Sequence, residues 1–120
     1  MILNRSFCEM TEPKPKEQYN VKESDVQAAC VELLETIGFE VLATSQDRAM
    51  RRHVKGLTDL IAWRHNVTLF IECKRPGGKL RKSQKEFRDR MLPHIGLNLH
   101  WWLIDDVETL THVLQLYNLL

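Results

Sequence analysis

Cysteine is scarce in this chain. Three cysteines in 120 residues, an odd number without metal-type spacing, argue against a disulfide framework and against a zinc site. A reducing cytoplasm suits that usage. Long apolar runs are missing too. None approaches the roughly 20 residues needed to cross a bilayer, so no membrane partner is expected. The first residues, MILNRSFCEM, lack a sustained apolar h-region and do not read as a signal peptide. The five histidines show no paired spacing for a metal, which disfavours His-dependent chemistry. No internal repeat and no linker divides the chain, and its length fits one domain with a single core. Net charge is close to nil, +1 at neutral pH, so the chain is not globally basic.

The charges that are present cluster. Arg48, Arg51, Arg52, His53 and Lys55 fall just before residues 56–74, and Lys74, Arg75, Lys79, Arg81, Lys82 and Lys85 follow. Two basic clusters around one stretch suit a polyanion such as a nucleic-acid backbone. Arg48, Arg51, Arg52, Lys55, Lys79, Arg81 and Lys82 are the candidate DNA-binding residues.

The bracketed stretch, GLTDLIAWRHNVTLFIECK, reads as two short strands joined at His65-Asn66. Leu60, Ile61, Ala62 and Trp63 form one apolar run, and Val67, Leu69, Phe70 and Ile71 the other. In a hairpin symmetric about that dipeptide, Arg64 faces Val67, Trp63 faces Thr68, Ile61 faces Phe70, and Asp59 faces Glu72. Opposed residues project from the same side of a sheet with Cβ atoms roughly 4.5–5.5 Å apart. Lys74 lies two residues beyond Glu72, on the same face. Two carboxylates so placed repel each other. A divalent cation compensates such a pair, and Mg²⁺ is commonly held by one or two carboxylates with waters and phosphate. An ammonium alongside can orient or deprotonate a water or neutralise a phosphate. The bland alternative is a strand-capping Asp59 and a surface ion pair between Glu72 and Lys74. Cys73 alternates to the opposite face, as a small core residue.

Elsewhere the pattern is ordinary. Residues 1–19, with Pro13-Lys14-Pro15-Lys16, read as an extended or mobile arm, and 20–120 as the domain. A helix is expected over 21–37 with Val26, Cys30, Leu33, Leu34 and Ile37 as its buried stripe. Its capping box is Asn20 with Glu23, or Ser24 with Gln27. A strand at 39–43 leads into a basic loop at 48–55, a plausible mobile clamp on a phosphate backbone. Gly56 permits a tight backbone turn into the Asp59 strand. Ser83 with Glu86 looks like the capping box of a second helix, whose core contacts are Phe87 and Met91. Residues 97–104 form a strand with Trp101 and Trp102 on opposite faces. Asp105 or Asp106 caps a last helix with Val107, Leu110, Val113, Leu114 and Tyr117 as its stripe. The element order is α-β-β-β-α-β-α.

Gly56-Leu57-Thr58-Asp59-Leu60-Ile61, then Phe70-Ile71-Glu72-Cys73-Lys74, Pro76-Gly77-Gly78-Lys79-Leu80 and Ser83-Gln84 together resemble the PD-(D/E)XK nuclease superfamily. Within it they look like a VRR-NUC domain of the small stand-alone phage or bacterial type. Family members usually have Pro where this chain has Thr58. The resemblance covers about residues 20–112. It implies an α/β fold with a restriction-endonuclease-like αβββαβ core, a mixed central sheet flanked by helices. It implies a Mg²⁺- or Mn²⁺-dependent deoxyribonuclease whose metal ligands are Asp59, Glu72, the backbone carbonyl of Cys73, and Glu23 from the first helix. Lys74 would position or activate the attacking water, and Gln84 would support the site. Stand-alone members resemble Holliday-junction resolvases and tend to be homodimers acting on branched DNA. Alternatives are a flap, nick or single-strand nuclease of the same fold, and a non-catalytic DNA-binding module; the presence of Asp59, Glu72 and Lys74 speaks against the last.

Overall fold

The computed structural model describes residues 21–120; the arm at 1–19 and Asn20 lie outside the described residues. In chain order the elements are helix α1 (Glu23–Thr36), strand β1 (Glu40–Ala43), a 3₁₀ turn (Thr44–Gln46), helix α2 (Arg48–His53), strands β2 (Leu60–Arg64) and β3 (Val67–Cys73), helix α3 (Lys82–Met91), a second 3₁₀ turn (Leu92–His94), strand β4 (Leu99–Ile104) and helix α4 (Val107–Leu116). The strands form one sheet in the order β1-β2-β3-β4. Its first two pairs are antiparallel and the β3–β4 pair is parallel. The architecture is α/β, a mixed sheet flanked by helices, consistent with a restriction-endonuclease-like core. Among the described residues no helix is long and apolar enough to cross a membrane.

The hairpin closes through His65-Asn66, with Arg64 opposite Val67, Trp63 opposite Thr68, Ile61 opposite Phe70 and Leu60 opposite Ile71. This is the register read from the sequence. His65 takes up left-handed backbone, φ 55°, which a two-residue hairpin turn demands and which His tolerates better than a β-branched residue does. One face of the sheet carries Leu60, Ala62, Leu69, Ile71, Cys73, Trp102 and Ile104. They are buried with Val26, Cys30 and Leu34 of α1 and Leu110, Val113 and Leu114 of α4. Burial of that apolar area is the main stabilising term. On the other face Phe70 and Trp101 are neighbours across the β3–β4 pair, and Phe87 of α3 reaches Phe70 with ring centroids 6.0 Å apart. Trp101 and Trp102 therefore point to opposite sides. Tyr117, at the margin of the core, packs its ring on His100 and Trp102.

Three local expectations need correction. At α1 the residue that reaches back is Asp25, whose Oδ2 accepts from the Lys22 backbone N–H at 3.1 Å. Lys22 is the N-cap, so neither Ser24 nor Gln27 serves there. At α3 the helix begins at Lys82, and Gln84 Oε1 accepts from the Arg81 N–H at 2.8 Å. Gln84 displaces Glu86 from the capping role, because its amide can close the first turn and still donate elsewhere. The stretch read as a basic loop contains α2. Asp47 caps it by accepting from the Met50 N–H at 3.0 Å, an N-cap interaction that holds even a short helix.

Candidate active site

Asp59 stands directly before β2 and Glu72 near the end of β3. With Leu60 opposite Ile71, strand alternation sends both carboxylates to the face opposite the main core. Both are almost fully withdrawn from water, Asp59 at 3% exposure and Glu72 at 1%. Asp59 Oδ2 accepts from the Cys73 backbone N–H at 2.9 Å, which ties the two strand ends together just past the ladder. Glu72 Oε2 accepts from Gln84 Nε2 at 3.0 Å. In the carboxylate form its Oε1 is buried with no group donating to it. Burial is the first cause that pushes the Glu72 carboxyl up, to about 9, followed by the charge of Asp59 and a hydrogen bond shared with it; Lys74 only partly offsets them. The acids thus meet on one side of the sheet, as the register required.

Lys74 is buried, with Nζ 3.8 Å from Glu72 Oε2 and 3.9 Å from Glu23 Oε1. The bland alternative of a surface ion pair between Glu72 and Lys74 does not describe this place. Glu23, in the first turn of α1, is half exposed and meets Lys74. Gln27, one turn on, donates to Ser45 Oγ at 3.0 Å. Glu23, Gln27, Ser45, Arg51 and Asp59 line one open cleft, which reaches Asp59 from the surface.

Further residues build this place, Thr44 among them with no part in the motif. Thr44, fully buried, uses its N–H to donate to the Asp59 carbonyl at 2.9 Å, and its hydroxyl to the Thr58 and Asp59 carbonyls. It clamps the backbone that presents Asp59. Thr58 donates its own hydroxyl to the Leu60 carbonyl at 3.0 Å, an internal bond that occupies the position where proline is usual. Gly56 has φ 78°, and a Cβ there would lie 1.9 Å from the Ser83 carbonyl oxygen. Its role is wider than a tight turn, since it lets the loop before Asp59 touch the start of α3. Arg51 Nη1 lies 3.3 Å from Asp59 Oδ1, so this member of the basic cluster sits at the acids. Arg48, Arg52, Lys55, Lys79, Arg81 and Lys82 are exposed, with Arg81 and Lys82 at the start of α3 beside Gln84. The only sequence signal for Thr44 was its place after an alternating strand; nothing marked it as a clamp.

The residues fit a hard dication. Among the described residues no three His, Cys, Asp or Glu side chains stand together as a ready cage. The donor set is instead two oxygen ligands and their surroundings. Glu72 Oε1 is an orphaned acceptor, and Asp59 Oδ1 is opposed by one guanidinium nitrogen. Such carboxylate oxygens suit Mg²⁺ or Mn²⁺, which accept waters for the rest of their shell.

A model of the VRR-NUC domain matches residues 5–97, more than half of the chain. The match includes both carboxylates, Lys74 and Gln84, and ends before β4. No curated protein matches the chain.

Proposed function

This chain belongs to the VRR-NUC domain family, a family of nuclease domains, and from that premise we propose that it is a metal-dependent, structure-selective DNA endonuclease that hydrolyses phosphodiester bonds in the manner of a Holliday-junction resolvase. The observation that carries the reading is the pair of buried carboxylates, Asp59 and Glu72, with one orphaned oxygen between them and a buried ammonium alongside. Without an ion that pair costs stability; with one it becomes a site. Mg²⁺ or Mn²⁺ bound there supplies Lewis-acid polarisation of a phosphate and a more acidic water.

The protein's own groups divide the remaining work. Lys74 points its ammonium at Glu72 and Glu23, where it holds a water or a phosphate oxygen. Gln84 fixes the orientation of Glu72 and closes the first turn of α3. Backbone N–H groups at that helix start add donors for a phosphate. Glu23 acts through Lys74 or through a water, and the Cys73 carbonyl, on the residue whose N–H donates to Asp59, completes the oxygen set. The exposed basic residues before and after the site hold the DNA backbone without reading base edges, so choice of substrate follows shape. Two copies related by a two-fold axis would offer two sites to the symmetric strands of a junction. The free, buried thiols of Cys30 and Cys73 suit a reducing cytoplasm.

The test is cleavage of a panel of DNA structures, four-way junctions, flaps, nicks and single strands, with Mg²⁺, Mn²⁺ or EDTA. Asp59→Ala and Lys74→Ala are expected to abolish cleavage, and EDTA to do the same. Activity that survives both substitutions, or that is undiminished in EDTA, overturns the assignment. Preferential cutting of flaps over junctions would retain the chemistry and replace the resolvase reading.

A further inference from the structure

Each site carboxylate has one oxygen fixed by the fold. Asp59 Oδ2 is held by the Cys73 N–H and Glu72 Oε2 by Gln84. The remaining two oxygens differ. Glu72 Oε1 has no partner, whereas Asp59 Oδ1 faces Arg51 Nη1 at 3.3 Å. We propose that Arg51 is an exchangeable counter-charge: it occupies Asp59 Oδ1 while no divalent cation is bound, and turns to a substrate phosphate when a cation takes that oxygen. Cation and DNA backbone then bind cooperatively. This rests on the nuclease reading above and adds to it a positioning residue that couples the two ligands.

Three observations and one electrostatic argument support the exchange. The contact is a single nitrogen at 3.3 Å, longer than charge-assisted bonds usually are and without the two-point geometry that makes arginine pairs strong. A guanidinium and a dication cannot share one carboxylate oxygen without strong repulsion at that range. Arg51 is carried on α2, a six-residue helix with no buried residue, so moving it disturbs little of the core. Its side chain is 27% exposed against 4% for that of Asp59, and it lines the cleft through which a substrate would approach. A planar guanidinium released there matches a phosphate. Thermodynamic reciprocity then requires the cation to strengthen DNA binding by the factor by which DNA strengthens cation binding.

Calorimetric titration of Mn²⁺ into the full chain tests this, comparing wild type, Arg51→Ala, Arg51→Lys and, as a control for losing one positive charge, Arg90→Ala. A four-way junction is then titrated with and without Ca²⁺. Arg51→Ala is expected to bind Mn²⁺ roughly three- to tenfold more tightly, since a competing cation has gone. Arg51→Lys and Arg90→Ala should stay near wild type. Ca²⁺ should strengthen junction binding by a larger factor in wild type than in Arg51→Ala. Mn²⁺ binding no tighter in Arg51→Ala, or an equal Ca²⁺ effect in both proteins, overturns the exchange while leaving metal-dependent cleavage intact. Failure of every protein to bind Mn²⁺ overturns the exchange and the metal-dependent reading together.

Discussion

Metal-free protein should lose stability as the solution becomes more alkaline, and Glu72 should be the reason. Its carboxyl is pushed from an ordinary 4.5 to about 9 in the folded chain, first by burial and then by Asp59. A carboxyl whose folded value is raised stabilises fully below its unfolded value, and that contribution is lost as pH climbs toward the folded value. Between those limits the native chain holds one more proton than the unfolded chain. The free energy of unfolding then falls by about 1.4 kcal/mol per pH unit. From pH 5.5 to 7.5 the expected loss is about 2–3 kcal/mol. Buried His100 works the other way, since desolvation lowers its value and its neutral form is favoured as pH rises. The comparison with Glu72→Gln removes that background. The amide can keep an acceptor for Gln84 but carries no charge to bury. Urea unfolding in EDTA at three pH values reads both proteins. Wild type should fall relative to Glu72→Gln by the stated amount, and added Mg²⁺ should flatten the wild-type slope. A constant gap between the two proteins across that range would rule out Glu72 as the source of the pH dependence.

Two glycine substitutions separate backbone strain from close approach. Gly77→Ala puts a side chain at φ 82° with nothing within 4 Å, so it should cost only about 1–2 kcal/mol of left-handed strain and leave cleavage intact. Gly56→Ala adds overlap with the Ser83 carbonyl, which only a main-chain shift relieves; it should lower the melting temperature further and abolish cleavage. Gln84→Ala removes both the cap on Arg81 and the donor to Glu72. It should cost about 1–3 kcal/mol in unfolding free energy and roughly 10- to 100-fold in cleavage rate, read by urea unfolding and single-turnover assays.

The hairpin was legible because its signals are local. Two apolar runs of fixed parity about a polar dipeptide determine which residues face each other, and so put Asp59 with Glu72. The stripe of α1 was legible in the same way: Val26, Cys30 and Leu34 are its buried residues. Less visible were features that depend on competition between near-equivalent groups. Asp25 and Gln84 close their helices in place of the expected residues, and a choice between neighbouring caps is worth only about 1 kcal/mol. α2 is a similar case, since one Asp47 cap decides between a loop and a helix. Contacts between distant segments left no mark at all. Nothing in local spacing pairs Arg51 with Asp59, Gly56 with Ser83, or Thr44 with the Thr58 and Asp59 carbonyls.

Those distant contacts explain why a repulsive pair can be held in place. The strands alone would let Asp59 and Glu72 turn apart, because each side chain has rotamers that face water. Thr44 removes that freedom from the Asp59 backbone, the Cys73 N–H fixes one Asp59 oxygen, and Gln84 fixes one Glu72 oxygen. Gly56 joins the two arrangements by letting the Asp59 loop rest on the turn that carries Gln84. The orienting groups therefore come from β3, from the turn after β1 and from α3. Loosening one of them lets a carboxyl group reach solvent, which lowers cleavage and relieves part of the cost of keeping Glu72 buried and protonated, offsetting some of the lost bond. Substitution of Thr44 by Val, which keeps the volume and loses the hydroxyl, places that balance on a single bonded group. Its loss of a buried donor costs about 1–3 kcal/mol, comparable to the burial cost that Glu72 sheds, so unfolding free energy should change little and cleavage much. A Thr44→Val protein that cuts at the wild-type rate would show that the fold holds the acids without this clamp.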